Sequence, residues 1–224
     1  MFYEPGKTDH GLPYNPYKSI VVPRPIGWVS TLDPDGVPNL APYSQFNNLG
    51  YDPPYVMFSA SPRPGGDPKD SARNAMQTGE FVCNMATWAL REAVNTTAQF
   101  VAAEVDEMEL AGLEPAPSRL VKPPRVADSP VHLECLYHAT MVLPGRTVEN
   151  TSHVVVGRVI GVHIADDALT ADGKLDIARL RPLARLGYHD YTAVDSLFTM
   201  APGGPDAEHL RRGMAGEPKA EAAE

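Results

Sequence analysis

The stretch Arg24–Ser71 reads RPIGWVSTLDPDGVPNLAPYSQFNNLGYDPPYVMFSASPRPGGDPKDS, and its reading decides the fold. From Ile26 to Thr31, β-branched and aromatic residues predict a strand. Asp33-Pro34-Asp35-Gly36 then predicts a tight turn, with proline at a φ-restricted corner and glycine where φ is positive. Val37 to Tyr43 returns antiparallel. Pro38 and Pro42 cannot donate to a ladder, which places this return strand at an edge or beside a bulge. Gln45 to Pro54 reads as a long polar loop, Tyr55 to Ala60 as a third strand, and Pro62 to Pro68 as a Pro/Gly loop. Lys69 then opens a helix in which Ala72, Ala75 and Met76 share one face and Gly79 stops it. Two paired strands, an unpaired edge, an apolar strand and a lysine at a helix start form the layout of a site for a flat, phosphorylated ligand.

Outward from this block, residues 1 to 19 are rich in Pro, Gly and Tyr and read as an arm packed across the surface. Glu80 to Thr87 predicts a strand, and Trp88 to Val101 a helix with Leu90, Val94 and Ala98 four apart. Ala102 to Ala116 is acidic and Ala-rich, and Pro117 to Pro130 is irregular. Val131–Leu143 and Ser152–Ala165 are the longest β-like runs. The second is a near-continuous apolar block around Gly157 and predicts a buried central strand. Gly187 to Met200 returns weak β character. The expected organisation is one domain over 1–202, mainly β with short helices, and a disordered tail over 203–224, which is polar and has no aromatic residue.

The composition excludes several classes. A chain of 224 residues with 43% hydrophobic residues can bury one large core. A net charge of -9 disfavours nucleic-acid or anionic-membrane partners, which call for a basic surface. No apolar run reaches the roughly 18 residues of a membrane span, and the first residues lack the basic and apolar regions of a signal peptide. Cys83 and Cys135 are the two cysteines. They read as buried small hydrophobes, with neither a disulfide framework nor zinc-ligand spacing. The expectation is a cytoplasmic protein with no metal, since His132, His138 and His163 alternate along strands without ligand spacing.

RPIGWVST, the turn, NLAPYSQF, DPP, a strand and KDSARN, in that order, resemble the flavin reductase-like, FMN-binding split-barrel family over roughly Pro16 to Pro202. The resemblance implies a split β-barrel and a homodimer with flavin sites at or near the subunit interface. It also implies non-covalent FMN, reduction by NADH or NADPH, and delivery of the reduced flavin to a partner oxygenase or a bound substrate. Flavin contacts are implied at Thr31, Asn39, Ala41, Ser44, Gln45, Phe46, Ser59, Lys69, Asp70, Ser71 and Tyr191. Tyr191 falls in the closing segment Gly187-Tyr188-His189-Asp190-Tyr191. A family His-x-x-x-Gly element reads here His153-Val154-Val155-Val156-Gly157, preceded by Thr151-Ser152 where the family often has Gly-Asp.

The chemistry of these residues suits that reading. An isoalloxazine edge needs backbone N–H and C=O partners, and a Pro-interrupted edge such as Asn39 to Phe46 leaves them unpaired. Ser44 and Asn39 add side-chain partners, and Phe46 either covers the ring or packs in the core. Lys69 beside Asp70-Ser71 supplies an ammonium, a hydroxyl and free helix N–H groups to a phosphate, or else forms an ordinary capped surface helix, with Asp70 as the cap. Ser30 points away from Thr31 on its strand, and Arg24 is a candidate to hold the arm. His153 is the candidate catalytic position. Hydride transfer from a nicotinamide to a flavin needs no general base, which leaves it a positioning role. Two other readings stay open: an electron carrier without NAD(P)H activity, and an FMN-dependent oxidase or oxygenase acting on an organic substrate.

Overall fold

The computed structural model describes residues 1–200 together with 203 and 204. The expected tail therefore lies, beyond those two residues, outside the described residues. After β1 (Arg24–Pro25), the decisive hairpin forms as β2 (Gly27–Leu32) and β3 (Pro38–Tyr43), with Val29 opposite Ala41 and Thr31 opposite Asn39. Asp33 closes the turn: its Oδ1 accepts the N–H groups of Asp35 (2.9 Å) and Val37 (2.8 Å), and Gly36 takes φ 88°. The two prolines act as expected. β3 is one edge of a seven-stranded antiparallel sheet.

The segment expected as a loop is instead β4 (Phe46–Tyr51), paired in a tight hairpin with β5 (Pro54–Ala60). Asn47, Asn48 and Gly50 carry low strand propensity, but Phe46 sits directly opposite Phe58, and burial of this aromatic pair outweighs local preference. α1 (Asp70–Thr78) ends at Gly79, whose φ of 78° stops the helix. β6 (Glu80–Met85) follows as expected. The helix predicted over 88–101 is shorter: a 3-10 turn over Trp88–Leu90 leads into α2 (Arg91–Thr96), and 97–101 leave the helix.

The acidic segment contains α3 (Glu107–Leu110), capped by Asp106, whose Oδ1 accepts the Met108 N–H at 2.8 Å. The acidic segment ends in β7 (Pro115–Ala116), and the Pro-rich segment is irregular except for β8 (Arg125–Val126), which pairs with it. The long strands β9 (Val131–Leu143) and β10 (Ser152–Ile164) pair with each other at the centre of the sheet, whose order is β3-β2-β6-β9-β10-β5-β4. After α4 (Ile177–Leu180), β11 (Leu183–Gly187) pairs with β1 and with β12 (Asp190–Ala193) in a small second sheet.

Two apolar clusters lie on the two faces of β2, which explains why that strand is buried from Gly27 to Thr31. Val29 belongs to a cluster with Phe58, Phe81, Cys83, Cys135 and Val155, and α1 covers it through Ala72 and Ala75. Trp28 belongs to the other, with Leu40, Met108, Val126 and Leu183, and its Nε1 donates to Thr97 Oγ1 at 2.9 Å. Gly157 is required by packing, since a Cβ there would come within 2.2 Å of the Phe81 ring. Both cysteines are buried.

Candidate functional site

The end of β3 and the residues after it separate two openings. Ala41, Pro42 and Tyr43 border a small pocket, and Ser44 and Gln45 border a wide cleft. The small pocket, ≈ 70 Å³, lies between β3, the start of α1 and the chain at 97–101. Lys69 stands immediately before α1, with its Nζ 4.7 Å from the centre of the Phe100 ring. Burial, and then nearby Arg63, lower its ammonium pKa. Arg63 itself is engaged by Asp70, which also takes Arg73 at 2.5 Å. Asp70 is therefore not the expected cap. It is the first helical residue, and its carboxylate neutralises two guanidiniums. Among the described residues no carboxylate pairs with Lys69. Lys69, without an ion-pair partner at a helix start, is the residue of this pocket that could hold a phosphate.

Behind the pocket runs a buried polar chain. Asn74 Nδ2 donates to Thr31 Oγ1 (3.2 Å) and Ser71 Oγ to Asn39 Oδ1 (2.6 Å), while Asn39 Nδ2 donates to Glu107 Oε1 (2.9 Å). Thr31 has no exposed surface, so the structure makes it a support of α1 and not a surface that a ligand touches. Its side chain alternates with Ser30, as expected, and Ser30 Oγ donates to Pro124 O. Asn39 and Ser71 are also almost fully buried but form the pocket floor. Burial raises the Glu107 pKa against the hydrogen bonds it accepts, and burial likewise pushes the Tyr43 phenol up.

The wide cleft, ≈ 510 Å³, is lined by the arm (Tyr17, Lys18), Val21, Arg24, Ser44, Gln45, Ser61 and the closing segment (Arg185, Gly187, Tyr188). Arg24 holds the arm as expected, donating from Nη1 to Lys18 O at 3.3 Å and to Val21 O, just beyond the arm, at 2.7 Å; its buried Nε has no partner. Ser19 Oγ ties the arm to Leu186 O at 2.6 Å. Gly187 is required there: it has φ 103°, and a Cβ would come within 2.3 Å of Lys18 O. Tyr191 does not line the cleft. Its hydroxyl accepts from Arg185, whose guanidinium lies 4.4 Å over its ring, and so it fixes a residue that does line it.

Three expected contacts fall elsewhere. The Phe46 ring packs over Gly27 and lines a separate apolar cavity of ≈ 160 Å³ beside Ile26, Cys83 and Leu133; pairing in β4 turns it toward the core and away from the cleft. Ser59 acts through its backbone, donating to Gln45 O at 2.8 Å, which fixes the segment between the two openings. His153 lies on β10 opposite Ala60, the neighbour of cleft residue Ser61, but is itself outside the lining, and its buried Nδ1 has no partner. Sequence reading missed Arg63, Glu107, Lys18, Arg185 and the 97–101 segment, none of which carries a local motif.

The mainly antiparallel sheet, with a polar edge segment between the Lys69 pocket and an open cleft, has the fold of the flavin reductase-like split barrels. The chain belongs to the flavin reductase like domain family, whose model matches residues 19–192. An uncharacterised protein of Halalkalibacterium halodurans is 38% identical over 180 residues, covering 80% of this chain and 86% of that one. Nitrilotriacetate monooxygenase component B from Bacillus cereus is similar in structure, with TM-score 0.82, 30% identity, and 89% and 98% of the two chains covered. Flavoredoxin of Desulfovibrio vulgaris shares the fold at 21% identity and TM-score 0.69, with 87% and 97% covered. The family gives this chain a flavin-related function. Among the described residues no helix is long and apolar enough to cross a membrane.

Proposed function

We propose that the chain is an NAD(P)H-dependent flavin oxidoreductase that binds FMN without a covalent bond. The observation that carries this reading is the continuity of Ala41–Gln45 from the pocket holding Lys69 to the wide cleft. Lys69 would hold the phosphate. Ser44 and Gln45, with their backbone groups, would orient the ring edge, while Tyr17 and Tyr188 would shield it from water. FMN, when bound, supplies the hydride-accepting chemistry, and the protein supplies alignment. Lys18, Arg24 and Arg185 line the cleft with no carboxylate among its lining residues, which suits an anionic dinucleotide. His153, one strand from the cleft wall, would position the nicotinamide and move no proton.

The same reading includes a cytoplasmic homodimer. Met141, Val142 and Leu143 leave apolar side chains exposed where β9 runs beside His153, and a second copy of the chain would cover them. The likeness to a monooxygenase component supports delivery of reduced flavin to a partner oxygenase. A second reading, an electron carrier, is favoured by Thr151-Ser152 in place of Gly-Asp. Anaerobic addition of NADH or NADPH to the flavin-loaded protein separates them. Bleaching of the flavin band near about 450 nm is expected for the reductase. A band that persists with both nucleotides and bleaches with dithionite alone would establish the carrier.

A further inference from the structure

At the opposite end of β10 from His153 lies a cleft of ≈ 330 Å³ that the flavin site does not use. His163, ten residues along the strand, lines it, which puts the cleft roughly 30 Å from His153 at strand rise. Arg119, Arg125, Ser129 and His132 line it too, and no carboxylate does. In a chain of net charge -9, the two arginines make this cleft positive. A concave site lined by one sign of charge focuses the field on a counter-ion.

Arg125, His132 and His163 are held in place from behind, and Arg119 through its backbone. Arg125 donates from Nε and Nη2 to Pro117 O (3.1 and 3.0 Å) and from Nη1 to His132 Nδ1 (3.3 Å). A guanidinium has five N–H donors, so two remain without a partner. His132 Nε2 donates to Val126 O at 2.8 Å, which makes Nδ1 the acceptor and the ring a neutral prop for Arg125. Burial pushes this imidazole down to about 4, in keeping with that role. Behind the cleft, fully buried Glu134 accepts the backbone N–H groups of Arg119 (2.8 Å) and Leu120 (2.6 Å), and His163 Nε2 lies 2.5 Å from its Oε1.

Burial works against the Glu134 charge, but the hydrogen bonds from Arg119, His163 and Leu120 outweigh it and keep the carboxyl ionised. The buried carboxylate thus orients His163 by one ring nitrogen, leaving Nδ1 as the other, and seats the backbone that carries Arg119. Neither Arg119 nor Arg125 has an ion-pair partner among the described residues. A mere fastening of the 117–120 segment would need Glu134 but not two unpaired arginines in the cleft that His163 lines.

We propose that the cleft between Arg119, Arg125 and His163 is a second binding site, for a small oxyanion, separate from the flavin site. Phosphate and carboxylate share the required chemistry, since planar guanidiniums pair bidentately with either. The probes are inorganic phosphate and acetate, titrated at constant ionic strength into the full chain, with imidazole resonances followed by NMR and heat by calorimetry. Saturable phosphate binding is expected to shift the His163 resonances and leave those of His153 in place. Arg119→Ala, a change at an exposed side chain, should weaken binding at least tenfold without lowering the melting temperature, and Arg119→Lys should restore part of it. Weaker acetate binding would assign the site to phosphate groups; binding as tight would assign it to carboxylates. Non-saturable shifts, or binding that survives Arg119→Ala and disappears in Lys69→Ala, would overturn the proposal and place the anion in the flavin-side pocket.

Discussion

Glu107 and Asn39 are 68 residues apart in the chain and joined by a hydrogen bond of 2.9 Å from the Asn39 side-chain amide to Glu107 Oε1. Oε2 of the same carboxylate accepts the Leu40 N–H, also at 2.9 Å, so one acid on α3 holds the edge strand that leads to both openings. Removing it by Glu107→Ala leaves an amide and a backbone N–H buried without an acceptor. The expected cost is about 1–3 kcal/mol in a urea melt, with flavin affinity reduced because Asn39 is released.

The pH dependence of that contact has a definite sign. The folded state raises the Glu107 pKa above its ordinary 4.5, so it retains a proton that the unfolded chain has already released. The native state is favoured most below that value and loses stability as pH rises through the raised one. Glu107→Gln cannot titrate. The stability of the native chain minus that of Glu107→Gln, from urea melts at several pH values, should therefore fall as pH increases from 4.5; a difference that rises would reverse the assignment.

Lys69→Ala should weaken FMN binding by about 1.5–3 kcal/mol, the usual worth of a hydrogen bond to a charged group. Riboflavin, which has no phosphate, should bind both proteins equally. Calorimetric titration with the two ligands checks this, and equal losses for both would remove Lys69 from the phosphate.

Asp70→Asn has a different consequence. With its side chain 9% exposed, Asp70 joins Arg63 and Arg73, and its loss leaves two partly buried guanidiniums unpaired. About 1–3 kcal/mol of stability should go, less than for a fully buried ion pair because the two guanidiniums, 30% and 35% exposed, keep part of their hydration. Thermal unfolding monitors the loss, and a change below 1 kcal/mol (roughly the surface-pair level) would show that the cluster is solvated.

If the proposed phosphate and ring contacts hold, His153→Ala should slow flavin reduction or raise the KM for NAD(P)H while leaving FMN affinity unchanged, because those contacts lie elsewhere. Stopped-flow reduction at several nucleotide concentrations, beside a melting curve, distinguishes this from a structural histidine. An unchanged rate with a lowered melting temperature would end the positioning role.

Much of the architecture is written locally. The Asp33–Gly36 turn, the prolines that put β3 at an edge, the stop at Gly79 and the two long apolar strands all act through backbone dihedrals and burial over a few residues, and each forms where the pattern predicts. The order of motifs around them was enough to identify the family. Only the tertiary structure decided which side of each motif faces an opening. Pairing with Phe58 made a strand of Asn47–Tyr51 and turned Phe46 inward; burial took Thr31 out of reach; Arg63 and Arg73 claimed Asp70 and left Lys69 unmatched. Lys18, Arg185 and Glu107 reach the site from distant parts of the chain, through packing that no short window of sequence contains. Local propensity acts between neighbours, whereas a site is assembled by contacts between residues brought together by the collapse of the whole core.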